Sequence, residues 1–318
     1  MLHFYTLREQ RLSQEDQLTQ DTLWIHVEHP DLAEINLLTK DYQLPRDYLT
    51  SILDDAENSR SEGLQQKQLE QAVLLLLQFP YETTSPSDFP QLHTYPLSVI
   101  ITPNKQLITV TNYPLPFFKS LMDHSFTQKS LQDEIIVLLE ILWQLTLSFN
   151  LYLKEIQAQL DQLEKQIKTS IQNKQLYQMM DIQKSLVFLD AATKANLKTL
   201  ITLANTSLFK TDAVFKNQLH DTLVETRQAM TSANIHLKFA NYMNDTFSAA
   251  VSNNLNIVMK FLTSLTLILT IPTIIAGIYG MNIKLPIAKN PYAFVIIMFF
   301  TVFICWIAFK ILKKKDLI

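Results

Sequence analysis

Apolar and polar residues follow three different rhythms along the chain. In the first third, short runs rich in β-branched, leucine and aromatic residues occur at His3–Leu7, Thr22–Val27, Ala72–Leu77, Leu97–Thr102 and Gln106–Thr111. Runs of that length and composition predict strands. Helical spacing separates some of them, at Asp31–Lys40 and Pro45–Leu53. From about residue 126 the period changes: Phe149, Leu153, Ile156, Leu160, Leu163, Ile167 and Ile171 recur at steps of three and four, and Leu176, Met179, Ile182, Leu186 and Leu189 begin a second such stripe. These are coiled-coil-like helix faces. A third helix starts near Asp212 and meets no breaker before Pro272, a length of roughly 100 Å at the helical rise. Near the end the pattern loses its polar positions, with apolar runs at Phe261–Met281 and Tyr292–Ile311. Each holds about 20 residues, roughly 30 Å of helix, which matches a bilayer core.

Proline and glycine sharpen these boundaries. Nine of twelve prolines lie at or before Pro116, and no glycine falls between Gly63 and Gly277, so residues 117–271 hold neither helix breaker. The expected fold is an α/β N-terminal domain, then long α-helices leading into a two-helix transmembrane domain. The implied division is 1–125 for the α/β part, 126–255 for the long-helix stalk and 256–318 for the membrane part with its basic tail. The opening residues MLHFYTLREQ meet charge at once and resemble no signal peptide. Lys313, Lys314 and Lys315 directly follow the second apolar run. Both features favour a cytoplasmic front domain, cytoplasmic termini and a plasma-membrane location.

Composition removes several function classes. Only three glycines occur where roughly 20 would be usual, so no glycine-rich phosphate cradle can form, and nucleotide enzymes built on one are excluded. The single cysteine, Cys305, allows no disulfide framework or cysteine-rich zinc site. Charge is divided: residues 1–245 carry a formal −9 and the remainder +6. An acidic front portion suits cations and disfavours nucleic acid as a partner. No catalytic serine, histidine and acid motif or HExxH stands out, and an enzyme is the least favoured class. His26 and His29 have a spacing that metal sites use, but no third ligand is near, and a turn after a strand accounts for them.

Within the first apolar run the polar residues are ordered. Thr263, Thr266, Thr270 and Thr273 fall on one helical face, Gly277 extends it, and Asn256 and Met259 continue it backward. Such a stripe lines a water-filled axis or packs against another helix, and periodicity alone leaves both open. A membrane-anchored coiled-coil scaffold, using the spans only as an anchor, is the competing class.

At the outer end of that run stands Tyr279-Gly280-Met281-Asn282, within AGIYGMN. The motif, its place at the end of the first of two C-terminal spans and the whole layout resemble the CorA magnesium transporter family. The resemblance implies a funnel-like homopentamer that passes divalent cations, with Mg²⁺ as both transported and regulatory ion. Its partners would be its own copies, membrane lipid and the cations. It implies that Gly280, Met281 and Asn282 form an outer selectivity ring. Asn256, Met259 and Leu262 then line the inner part of the pore, followed by the threonine stripe. It also places a regulatory Mg²⁺ between subunits at Asp245, with Asp54 or Asp55 opposite. Zinc-, cobalt- or nickel-transporting relatives share the architecture, and Met281 favours magnesium among them. This chain departs from the family pattern at Thr270, where a bulky apolar residue is expected, and at Pro272, displaced by one. The loop IKLPIAKNP also carries lysines and no acid.

Overall fold

The computed structural model describes residues 1–126, 132–169, 172–206, 213–281, 286–287, 290–315 and 317. By packing it forms two units, Met1–Asn244 and Asp245–Ile318.

The first unit is built on a seven-stranded sheet. Its strands are β1 (Leu2–Arg8), β2 (Arg11–Glu15), β3 (Trp24–Glu28), β4 (Arg60–Glu62), β5 (Val73–Thr84), β6 (Pro90–Ile101) and β7 (Leu107–Thr111), in the order β2-β1-β3-β7-β6-β5-β4. Among the described residues only the β3–β7 pairing is parallel. Helices α1 (Leu32–Asp41) and α2 (Asp47–Thr50) with one 3₁₀ turn (Ser51–Leu53) follow β3, and α3 (Phe118–Asp123) follows β7. Asp31 starts α1 with a capping box, its carboxylate accepting from the Glu34 N–H while the Glu34 side chain accepts from the Asp31 N–H.

The apolar run Ala72–Leu77 does not alternate with polar residues because β5 is covered on both faces. Leu74 and Leu76 join Ile25, Val27, Ile35 and Leu49 in a core under α1 and α2. Val73, Leu75, Leu77 and Phe79 face the opposite way, into a larger core. That core is closed by α4 (Asp133–Thr169), α5 (Asn173–Ala204) and the first part of α6 (Ala213–Tyr279). Phe149, Leu153, Ile156, Leu160 and Leu163 of the expected stripe are buried there, as are Met179, Ile182, Leu186 and Leu189 of α5. Each leucine fully buried in this way stabilises the unit by about 2 kcal/mol. Ile171 lies outside the described residues.

Strands β5 and β6 run longer than the sequence runs suggest and contain Pro80 and Pro96. Both are tolerated because their outer neighbours have ended: β4 reaches only Leu76 on β5, and β7 only Leu97 on β6. Beyond β4, helix α5 replaces the missing strand. Asn196 donates through Nδ2 to the Gln78 carbonyl at 2.7 Å, and its Oδ1 accepts from the Gln78 N–H at 2.9 Å. These bonds satisfy a buried backbone pair. The sheet and the long helices share one core, so the first unit runs to Asn244.

The second unit holds the rest of α6 and α7 (Ala293–Lys314). Among the described residues three helices, α4, α6 and α7, are long and apolar enough to cross a membrane. Burial separates them. The apolar stretch of α4 is 61% covered by the protein itself, against 6% for those of α6 and α7. Helix α4 is therefore a core helix, and α6 and α7 carry the bare apolar surfaces. At the end of α7, Lys310 lies 4.2 Å over the Trp306 ring, and Lys313 and Lys314 occupy the last turn, where cations oppose the helix dipole.

Candidate functional site

Helix α6 carries two faces of different character in the second unit. The face toward α7 is marked by Ser264, 2% exposed, and by the half-buried Ile268, Ile271, Ile275 and Tyr279, at steps of four and three. Thr263, Thr266, Thr270, Thr273 and Gly277 are exposed. At 100° per residue, the centres of the two stripes are roughly 160° apart. The threonine stripe is thus turned away from α7. Asn256, Met259 and Leu262 are exposed as well. At this lower end the separation narrows, because Asn256, Met259 and Thr263 also border a groove with Leu312 and Leu317.

The stripe has a defined hydrogen-bond polarity. Thr266, Thr270 and Thr273 donate their hydroxyls to the carbonyls of Leu262, Thr266 and Leu269 at 2.9, 2.7 and 3.0 Å. With their protons committed to the helix, the oxygens present lone pairs outward. Ser264 behaves differently, donating to the Leu317 carbonyl at 3.0 Å. Gly277 has open space where a Cβ would be, so nothing within the chain requires a glycine there. At Gly280 a Cβ would sit 3.2 Å from the Ala276 carbonyl, a tight approach at the helix end.

Pro272 lies inside α6 and has no N–H to offer the Ile268 carbonyl four residues back. In an apolar surrounding such a group needs another donor. Cys305 of α7 supplies one, its Sγ 3.8 Å from the Ile268 oxygen. Residue spacing carries no sign of this contact, because the thiol and the freed carbonyl are 37 positions apart.

The remaining expected residues are dispersed. Met281 is exposed, and the Tyr279 hydroxyl donates to the Pro286 carbonyl at 3.3 Å, tying the helix end to the loop. Asn282, the third residue of the motif, lies outside the described residues, as do Lys284 and Lys289 of the loop. Asp54, Asp55 and Asp245 are exposed; the first two belong to the first unit and Asp245 opens the second. The two neighbouring acids are held differently. Asp54 accepts from the Ala56 N–H at 3.0 Å in a local turn, whereas Asp55 Oδ2 accepts from the Tyr113 hydroxyl at 3.2 Å. Tyr113 is itself stacked on Tyr95 with ring centres 3.7 Å apart. Burial and the Tyr113 contact push the Tyr95 hydroxyl up to about 12. His26 and His29 do not form a pair: His26 is buried in the sheet and bonded to Thr109, while His29 is exposed with φ 47° at the turn. Among the described residues no cluster of three His, Cys, Asp or Glu side chains could hold a bare metal ion.

A mixed α/β unit with long helices, followed by two helices whose apolar surfaces the protein leaves bare, defines a membrane protein. Residues 19–314 match the family of CorA-like Mg²⁺ transporter proteins, and the chain belongs to that family. It is 27% identical over 180 residues to the cobalt/magnesium transport protein CorA of Methanocaldococcus jannaschii, an alignment covering 56% of this chain and 57% of that relative. The match thus spans little more than half of the curated relative. The complete structure of the CorA magnesium transporter from the same organism superposes with a TM-score of 0.79 at 24% identity, over 98% of this chain and 96% of that one. The full-length CmaX protein is similar at a TM-score of 0.73 and 16% identity, over 98% and 97% of the two chains.

Proposed function

We propose that the chain forms a passive transporter through which Mg²⁺, or a similar divalent cation, crosses the plasma membrane down its electrochemical gradient. In this reading it is a homopentamer with five copies of the membrane part of α6 around one axis, α7 outside them and both termini in the cytoplasm. The observation that supports it most is the turning of the threonine stripe away from α7. A row of hydroxyls pointing to lipid would be wasted on a helix otherwise suited to lipid, and a shared axis gives it water.

The chemistry of the stripe suits a hydrated cation. Water bound to Mg²⁺ turns its hydrogens outward, and Mg²⁺ gives up that shell reluctantly. A lining of acceptors therefore holds the hydrated ion without stripping it. Thr266, Thr270 and Thr273 are such acceptors, since their protons are already engaged. Gly280, Met281 and Asn282 would form the outer ring, where the amide oxygen of Asn282 meets the incoming ion. Asn256, Met259 and Leu262 would line the inner end. Asp245 and the pair Asp54 and Asp55 would hold a regulatory Mg²⁺ between subunits.

The test is Mg²⁺ entry into liposomes holding the purified protein, read with an enclosed Mg²⁺-sensitive dye under an inside-negative potential. Saturable entry is expected, with Asn282→Ala reducing it at least about tenfold while the oligomer stays intact. Absence of entry with the unaltered protein, or unchanged rate and ion preference in Asn282→Ala, overturns the reading.

A further inference from the structure

A cavity of about 300 Å³ opens within the first unit, between the segment after α3, the first half of α4 and the first turns of α6. Half of its wall is apolar, given by Phe126, Leu139 and Trp143. The other half is polar and carries His124, Glu140 and Asp221, with no lysine or arginine among the described residues that line it. Glu140 is the inner carboxylate, its side chain 12% exposed. Its two described contacts, from Gln144 Nε2 at 2.7 Å and His124 Nδ1 at 3.2 Å, both fall on Oε1. Glu140 is itself among the residues that line the cavity. Asp221 contributes a second carboxylate from α6 and is exposed.

Two carboxylates that share a cavity with aromatic side chains define a preference. An excess of negative charge in a partly desolvated recess attracts a cation. A bare metal ion needs several oxygen or nitrogen ligands converging at short range, and no such cluster of three exists among the described residues. The apolar half of the wall would also be useless to it. A cation with a carbon body uses both halves: its charged end meets the carboxylates while its alkyl or planar part lies against the indole.

We propose that this cavity binds a small organic cation, an alkylamine or alkylguanidinium, with the charged end on Glu140 and Asp221 and the body against Trp143. Such a ligand joins α4 to the opening turns of α6. It thereby restrains the start of the helix whose far end reaches Tyr279.

The experiment is calorimetric titration of the purified full-length protein in detergent with agmatine and, separately, with putrescine. Saturable binding is expected, with the dissociation constant raised at least about tenfold by Glu140→Gln and by Asp221→Asn, and severalfold by Trp143→Leu. Glu140→Gln keeps the size of the side chain, and Asp221→Asn does the same at an exposed position. A parallel titration with MgCl₂ separates the alternatives. If Mg²⁺ binds with an affinity lowered by the same substitutions and displaces agmatine completely at equal concentration, the site is a metal site and the proposal is overturned. No saturable heat with either amine at millimolar concentration overturns it equally. So does amine binding that is unchanged in both carboxylate variants.

Discussion

Protonating His26 would place a charge among the rings of His3, Trp24 and Phe118. The ring is 1% exposed, its Nδ1 bonds to Thr109 Oγ1 at 2.8 Å, and its Nε2 has no described partner. Burial, followed by the charges of His3 and the N-terminus, lowers its pKa from 6.5 to about 3. The folded value lies below the unfolded one, so the unfolded chain binds the extra proton between them. Stability is thus complete above the unfolded value and falls with pH through that window, at a limiting slope of about 1.4 kcal/mol per pH unit. His26→Phe should remove about one proton from the pH dependence of unfolding between pH 6 and 4, in the acid direction only. Urea unfolding of the full-length protein at several pH values checks this, and an unchanged slope would contradict a neutral buried His26. This histidine was legible in the sequence as part of a strand end, but its environment was not. Thr109 accepts from Trp24 Nε1 across 85 positions and bonds His26 across 83, distances at which spacing carries no signal. The same holds for Tyr113 and Asp55, 58 positions apart.

At the scale of elements, the long helices and central strands were legible because proline, glycine and periodicity mark them directly. The short edge strands β2 and β4 were not. Their sequences RLSQE and RSE are polar, and they are strands because a neighbour completes their ladder. The orientation of α6 was also beyond sequence reach, since a polar stripe fits an aqueous axis and a helix interface alike. With α7 in place the two faces separate, and the difference can be measured. Single cysteines at Thr266 and Thr270 should react with small water-soluble thiol reagents at least about tenfold faster than cysteines at Ile268 and Ile271, which face α7. The background should be Cys305→Ser, because a serine hydroxyl keeps a donor for the Ile268 carbonyl that Pro272 leaves free. Modification at Thr266 and Thr270 should also slow Mg²⁺ entry. Reaction rates without helical periodicity would discard the pore-lining role of the stripe.

At the scale of the whole molecule, the proposed transporter has to relate the ion concentration in the cytoplasm to the conduction path. Acids exposed on the surface of one chain are costly to bring near those of another, unless a divalent ion lies between them. A state held by such ions is favoured when Mg²⁺ is abundant, and its loss when Mg²⁺ falls would open the path. Asp245 is the last acid along α6 before its membrane part, and its two candidate partners differ in what holds them. Asp54 already caps the Ala56 N–H, whereas Asp55 is aimed by Tyr113, which the stack on Tyr95 holds in place. Asp245→Ala and Asp55→Ala should each raise the Mg²⁺ concentration for half-inhibition of entry by roughly three- to tenfold. Asp54→Ala should shift it less, and Tyr113→Phe, which keeps the stack but removes the hydroxyl, should fall between. The readout is the rate of entry into liposomes against Mg²⁺ on the face bearing the first unit, with protease protection of the purified protein as a second measure. Midpoints unchanged in both Asp245→Ala and Asp55→Ala would remove these residues from the regulatory site. An unchanged midpoint in Tyr113→Phe alone would leave Asp55 a ligand without a positioning partner.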